Sequence, residues 1–242
     1  GVGYVEISSF GSHLGDSLKA YLDEMIEQDV HKLIIDLRDN GGGYLHAIQE
    51  IAPIFFDNND VVYQEDYKNK DNKVYNVSRS EKSKYQFDDI VILMNENSAS
   101  ASEVLAIAMR EVLDSKIVGV KSYGKGTIQM QKKYPDSSAL KITMAKWLSP
   151  HGENINEVGI KPDVEVKLAD IFYADYVDLK DSVVKYDTVH DAVSYVQKAL
   201  KYLGYHAGST DGYYDADTKN ALEAYQRKTG LAINSDFDQE SV

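Results

Sequence analysis

The sequence predicts an α/β protein, a largely parallel sheet with helices between its strands, followed by a small helical domain. Three observations carry this. Two short, continuous apolar runs, Lys32–Leu37 (KLIIDL) and Ile90–Asn95 (IVILMN), are what strands buried on both faces look like. Segments with apolar residues at helical spacing alternate with them, the order expected of a parallel sheet. Beyond about Leu168 the pattern becomes helical only.

Taken in chain order, Gly3–Ser9 alternates as a strand, and Gly15–Gln28 follows as a helix with Leu18, Leu22, Met25 and Ile26 on one side. The strand at 32–37 runs into Asn40-Gly41-Gly42-Gly43 and a helix over Tyr44–Phe55. Residues 58–89 are polar and tyrosine-rich, an excursion of short strands. The strand at 90–95 leads through Ser98-Ala99-Ser100-Ala101-Ser102 to a helix from about Glu103 to Leu113. Strands are expected at 116–120, 128–133 and 140–148, with Gly-Lys-Gly at 124–126 between the first two. Gly159-Ile-Lys-Pro-Asp163 reads as the turn that closes the domain. The expected division is a core at 1–168, an acidic, tyrosine-rich helical connector at 169–187 and a helical domain at 188–242. That last domain has apolar spacing at Val193, Val196, Leu200 and Leu203, an Asp211-Gly212 turn and a second helix at 216–229. The chain opens inside a strand and stops in mid-pattern, so it reads as cut from something longer, its last domain shortened.

Composition narrows the function. A net charge of −13 with no basic run argues against general affinity for nucleic acid or anionic lipid. No apolar run reaches the roughly 18 residues of a membrane span. The absence of cysteine excludes disulfides, cysteine catalysis and thiolate metal sites. Six scattered histidines without an HxxH or HExxH pair give no metal-binding spacing, so no metal is expected.

Three segments carry candidate chemistry, each with a plainer reading beside it. Ser100 and Glu103 have the S-x-x-E spacing of a helix-capping box, yet a serine between a buried strand and a helix also sits where binding crevices form. Lys125, flanked by Gly124 and Gly126, is either a solvated turn lysine or one that approaches backbone closely. Burial there would disfavour the ammonium form and free the amine to accept a proton. The glycines at 41–43 either make a tight turn or present N–H groups to an anion, while Asp36 and Arg38 have the spacing of a structural ion pair. Phosphate binding by these turns is disfavoured, because neither Walker nor Rossmann spacing is present.

In order along the chain, D-L-R-x-N-x-G-G at 36–43, S-A-S-A-S-E at 98–103, G-K-G-T-x-Q at 124–129, K-I-T-x-A-K at 141–146, Ser149-Pro150-x-Gly152 and Gly159-Ile-x-Pro-Asp163 resemble the carboxyl-terminal processing, or tail-specific, serine proteases. The resemblance covers Gly3 to about Val166. It implies a crotonase-like (ClpP/crotonase) core and an endopeptidase that cleaves proteins near their C-terminal tails by a Ser–Lys dyad, without a cofactor. Carried over by position, Ser100 is the nucleophile, Lys125 the base and Gln129 the residue that orients the lysine amine. Ser98 and Ser102 are the serines most easily confused with the nucleophile. Ala101 and Gly42, or a glycine beside Gly42, would supply the oxyanion N–H groups. Position 41 is glycine where many relatives have proline. No PDZ domain, the usual substrate-binding module of the family, is visible.

The tail has a second resemblance. Leu203-Gly204-Tyr205, Asp211-Gly212, Thr218, Ala221-Leu222 and Tyr225-Gln226 are similar to a three-helix peptidoglycan-binding domain. It implies an extracytoplasmic protein at the cell wall, its parent anchored in the membrane, with substrate C-termini and peptidoglycan as partners. A wall-associated scaffold with a latent catalytic core is the alternative expectation.

Overall fold

The computed structural model describes residues 1–78, 85–179, 183–206 and 208–233. The chain forms two compact units, Gly1–Val166 and Lys167–Val242.

In the first unit, strands β1 (Val2–Glu6), β2 (Lys32–Asp36), β5 (Asp89–Met94), β6 (Lys116–Gly119) and β9 (Val164–Glu165) form one sheet in the order β1-β2-β5-β6-β9, and every pairing is parallel. Helix α1 (Leu14–Glu27) connects β1 to β2, α2 (Leu45–Phe55) follows β2, and α3 (Ala101–Leu113) connects β5 to β6. Alternate apolar positions explain the layering. Leu18 and Leu22 of α1, Ile48 and Ile51 of α2, and Leu105 and Met109 of α3 are buried in one core with Leu33, Ile35, Ile92 and Ile117 of the strands.

Residues 58–89 form an excursion as expected. Strands β3 (Val61–Asp66) and β4 (Lys73–Asn76) join β7 (Thr127–Lys133) and β8 (Ala139–Leu148) in an antiparallel sheet of order β4-β3-β8-β7; residues 79–84 lie outside the described set. Trp147 of β8 is buried and anchors this sheet to the core.

The parallel register has one consequence for chemistry. The C-terminal ends of β2, β5 and β6 lie side by side, so the turns that leave them, at 37–43, 95–100 and 120–126, meet at one end of the sheet.

The second unit contains a 3₁₀ turn (Asp170–Tyr173) and helices α4 (Asp191–Tyr202) and α5 (Ala216–Thr229). Val193, Val196 and Leu200 face Tyr214, Ala221 and Leu222 in its core. Two details differ from the sequence reading. Leu203 is 52% exposed, because it caps α4 after the last full turn and leaves the apolar face. Within 169–187 the one helical element among the described residues is the 3₁₀ turn, and Leu179 and Val184 pack into the core of the helical unit. Buried Gln197 joins the parts: its amide donates to Tyr213 O and Thr218 Oγ1, and its oxygen accepts the Gly212 N–H. Of the three helices that the tail's resemblance implies, two are present among the described residues, and residues 234–242 lie outside the described set.

Candidate active site

Ser100 is the N-cap of α3, which starts at Ala101, two residues earlier than its apolar periodicity suggested. Its backbone has φ 58° and ψ −117°, a conformation that non-glycine residues rarely adopt and that surrounding structure must enforce. The enforcing contacts are on both sides. The Ser100 N–H donates to Glu103 Oε2 at 2.8 Å, and the Ala99 N–H donates to Asn40 O at 3.0 Å.

The three serines of the run are now distinct. Ser98 Oγ donates to Leu37 O at 2.7 Å and accepts the Asn95 N–H, while Ser102 Oγ donates to Asn40 O at 2.9 Å. Both are wholly buried and fastened to the turn that leaves β2. Ser100, between them, is only partly buried.

Gly42 has a specific reason to be glycine. Its φ is +95°, and a Cβ there would lie 2.6 Å from Ala99 O, 2.8 Å from Ser100 Cβ and 2.9 Å from Ala101 N. The glycine turn therefore presses backbone directly against the serine turn, at the first N–H groups of α3, which have no intrahelical acceptors. The Gly42 N–H itself donates to Asn40 Oδ1 at 2.8 Å. Among the described residues the Gly43 N–H has no partner. Asn40 is fully buried; its side-chain amide also donates to Ile7 O.

Asp36 and Arg38 form the ion pair that their spacing suggested. Arg38 Nη2 meets Asp36 Oδ2 at 2.6 Å, the Arg38 N–H meets Oδ1 at 3.0 Å, and Tyr4 OH donates to Oδ2 at 2.7 Å. Burial alone would raise the Asp36 carboxyl, but the Arg38 donors and the Tyr4 hydroxyl together hold it below the usual carboxylate range.

Lys125 lies in the third turn. Its N–H donates to Glu103 Oε2 at 2.9 Å, and its carbonyl accepts Trp147 Nε1–H at 3.0 Å, so its backbone is gripped from both sides. Gly126 is packed so closely on Asn156 that a Cβ would lie 2.7 Å from that residue's Cβ. Among the described residues, no hydrogen bond joins Lys125 Nζ to Ser100 Oγ. Gln129, on β7, is exposed and donates to Thr143 Oγ1 at 3.4 Å. The structure thus brings Ser100, Ala101, Gly42 and the Lys125 backbone to one place, and leaves the Gln129 side chain on the antiparallel sheet.

The residue that sequence reasoning undervalued is Glu103. Read only as a capping partner, it is fully buried and accepts four bonds: from Ser100 N–H, Ser122 Oγ–H at 2.6 Å, Gly124 N–H at 2.7 Å and Lys125 N–H. The signal was present in the sequence. Glu103 is the single acid in Ala-Ser-Glu-Val-Leu-Ala-Ile-Ala-Met, a helix segment apolar on every side, and a carboxylate is buried there only if donors surround it.

Residues 1–166 match the model of peptidase family S41, and residues 189–240 match that of a peptidoglycan binding domain. The chain belongs to peptidase family S41. Its similarity to carboxy-terminal processing protease CtpB of Bacillus subtilis is 36% identity over 95% of this chain and 47% of the relative. A CtpA-like serine protease of Staphylococcus epidermidis is 32% identical over 99% of the chain and 48% of its own length. The chain thus spans about half the length of the curated relatives it matches. Among solved structures, the photosystem II D1 C-terminal processing protease superposes with a TM-score of 0.60 at 29% identity, covering 69% of this chain and 42% of that one. The parallel-sheet unit is therefore the S41 protease fold that the six motifs implied, and the helical unit carries the wall-binding match.

Proposed function

We propose that this chain is the catalytic part of a serine endopeptidase that cleaves proteins near their C-terminal tails, with Ser100 as nucleophile and Lys125 as general base. The observation that carries this is the Glu103 carboxylate, which holds the Ser100 N–H and the Lys125 N–H with the same oxygen. It supports a fixed spacing between the two backbones.

In this reading the neutral Lys125 amine takes the Ser100 Oγ proton as the oxygen attacks the substrate carbonyl carbon. The tetrahedral oxyanion is met by the Ala101 N–H, with the positive end of α3 behind it. Gly42 shapes the floor of this hole. Because its own N–H is already given to Asn40, the adjacent Gly43 N–H is the better second donor. The ammonium of Lys125 then returns its proton to the leaving amine, and water hydrolyses the acyl-Ser100 ester. Gln129, four residues after Lys125 on β7, would steady its amine after leaving Thr143.

A fluorophosphonate probe and a casein or tail-peptide assay test this. Wild type is expected to label and to hydrolyse, while Ser100→Ala, Lys125→Ala and Lys125→Arg do neither at a measurable rate. The arginine variant fails because guanidinium stays protonated. Near-normal turnover by Ser100→Ala would end the proposal, and loss of activity in EDTA that zinc restores would point to a metalloenzyme.

One observation favours a second reading, a wall-associated protein with a latent core: the dyad side chains are not hydrogen-bonded to each other here. Failure of wild type to label at any pH between 6 and 9 would support it.

The helical unit, by the same proposal, binds peptidoglycan and places the protein outside the cytoplasm at the cell wall. Among the described residues, no helix is long and apolar enough to cross a membrane. Truncation after Val166 is expected to preserve hydrolysis of a small peptide and to abolish co-sedimentation with purified peptidoglycan. Unchanged sedimentation would overturn the assignment.

A further inference from the structure

Strand β3 pairs with β8 only at residues 146–148, where Asp66, Glu65 and Gln64 meet Lys146, Trp147 and Leu148. Beyond that point β7 and β8 run on as a two-stranded ribbon, and every residue from 129 to 144 is exposed. A lone two-stranded ribbon is only marginally stable in water and needs further strands or a packed face. We propose that this ribbon is a docking surface for the substrate polypeptide, selecting an extended segment whose side chains alternate between apolar and acidic. The proposal rests on the reading of Ser100 and Lys125 as the cleavage site, because it concerns what is brought to them.

One face of the ribbon is apolar. Residues two apart in a strand share a face, so Met130 and Lys132 continue the side of β7 on which Ile128 packs against the core. The register sets Ile142 opposite Met130 and Leu140 opposite Lys132. Met130, Leu140 and Ile142 are 49%, 46% and 38% exposed, so a face that begins in the core continues uncovered into solvent. Contiguous exposed apolar side chains of this kind mark an interaction surface.

The other face is basic. Lys133 and Lys141 lie there with Gln129, Gln131 and Thr143, and among the described residues neither lysine is in an ion pair. The one acidic residue between 129 and 144, Asp136, sits in the turn and accepts from the N–H and the hydroxyl of Ser138. Although the chain as a whole has a net charge of −13, this face attracts anions. The lysines form no run in the sequence; the antiparallel register gathers them.

The edge decides what kind of partner fits. β7 is the outermost strand of its sheet, so one row of its N–H and C=O groups is paired to no strand. An extended peptide can add there as a further strand, with its alternate side chains falling on the two faces. Its apolar side chains then lie beside Met130 and its acidic ones beside Lys133. An anionic bilayer fits less well, because a ribbon laid on its apolar face would turn Lys133 and Lys141 away from the headgroups. Position makes the peptide a substrate. β7 starts at Thr127, just beyond Lys125, so a strand paired along it leads to the turn that Glu103 ties to Ser100.

Fluorescein-labelled peptides that share one cleavable tail, preceded by Val-Glu, Val-Lys or Gly-Ser repeats, test this on the full chain. Anisotropy with Ser100→Ala reads binding, and product release by the wild type reads kcat and KM. The Val-Glu peptide is expected to bind at least about tenfold tighter than the other two, with its advantage in KM rather than kcat. Lys133→Glu/Lys141→Glu, two exposed changes, should reverse the preference toward Val-Lys, which a merely structural role would not do. N-methylation of the Val-Glu backbone amides should abolish binding by blocking the added strand. Charge-dependent binding without hydrolysis would support the docking surface and count against the catalytic reading alone. Equal affinity for the three peptides, a preference unchanged by Lys133→Glu/Lys141→Glu, or capture of anionic vesicles without any peptide preference would each overturn the proposal.

Discussion

Glu103 Oε2 accepts the N–H of Ser100 at 2.8 Å and the N–H of Lys125 at 2.9 Å, so one buried oxygen joins two turns that are 25 residues apart in the chain. The other oxygen, Oε1, takes Ser122 Oγ–H and Gly124 N–H. Four donors converge on one carboxylate, which only an acceptor with both oxygens available can satisfy.

Glu103→Gln should therefore be poorly tolerated despite its equal size. Its NH₂ group would face two donors and leave them unpaired, at a cost of about 3 kcal/mol. Peptide hydrolysis should fall by at least about a hundredfold, because both turns lose their common reference point. Urea denaturation and a single-turnover assay on the same preparation would check both. An active, fully stable Glu103→Gln would show that the carboxylate is dispensable.

The serine run offers a contrast between stability and chemistry. Ser98→Ala removes a buried bond to Leu37 O and strands the Asn95 N–H, so it should lower stability by about 1–3 kcal/mol while much of the hydrolysis survives. Ser100→Ala should do the reverse, losing activity and folding normally. Thermal melts paired with rate measurements distinguish the two patterns.

Gly42→Ala should lose both. The added methyl would lie 2.6 Å from Ala99 O, at a φ of +95° that alanine resists. A destabilisation of about 2 kcal/mol or more is expected, together with loss of activity from a displaced Ala101 N–H. Activity within twofold of wild type would show that the turn yields.

Acid stability should depend on Asp36. Its folded-state carboxyl is held low, so its contribution is complete above the unfolded-chain value, near about 3.9, and fades as pH falls through the folded value. Asp36→Asn is expected to be about 2 kcal/mol less stable at pH 7. The variant should also lose less Tm than wild type on going from pH 5 to pH 2. Parallel acid limbs in the two proteins would mean that Asp36 does not carry this dependence.

Much of the protease unit was legible because its signals are local. Continuous apolar runs such as Leu33–Ile35 admit few alternatives to a buried strand, and Ser98, Ser100 and Lys125 stood out by their glycine and alanine neighbours. What could not be read were contacts between residues distant in the chain. Nothing near Asn40 in sequence shows that its carbonyl receives Ala99 and Ser102, nor that its side chain takes up the Gly42 N–H. The acidic stretch at 169–187 misled for a related reason. Its composition suggested a helical connector, but Leu179 and Val184, sparse among charges, pack into the core of the helical unit.

The backbone at Ser100 also restricts which side chain can stand there. At φ 58° and ψ −117° a branched Cβ meets its own backbone, so threonine, the other aliphatic alcohol available to a protein, is sterically shut out. Serine and cysteine both have an unbranched Cβ. Of the simple nucleophilic side chains, then, the fold itself narrows the choice to a primary alcohol or a thiol, before any question of reactivity arises.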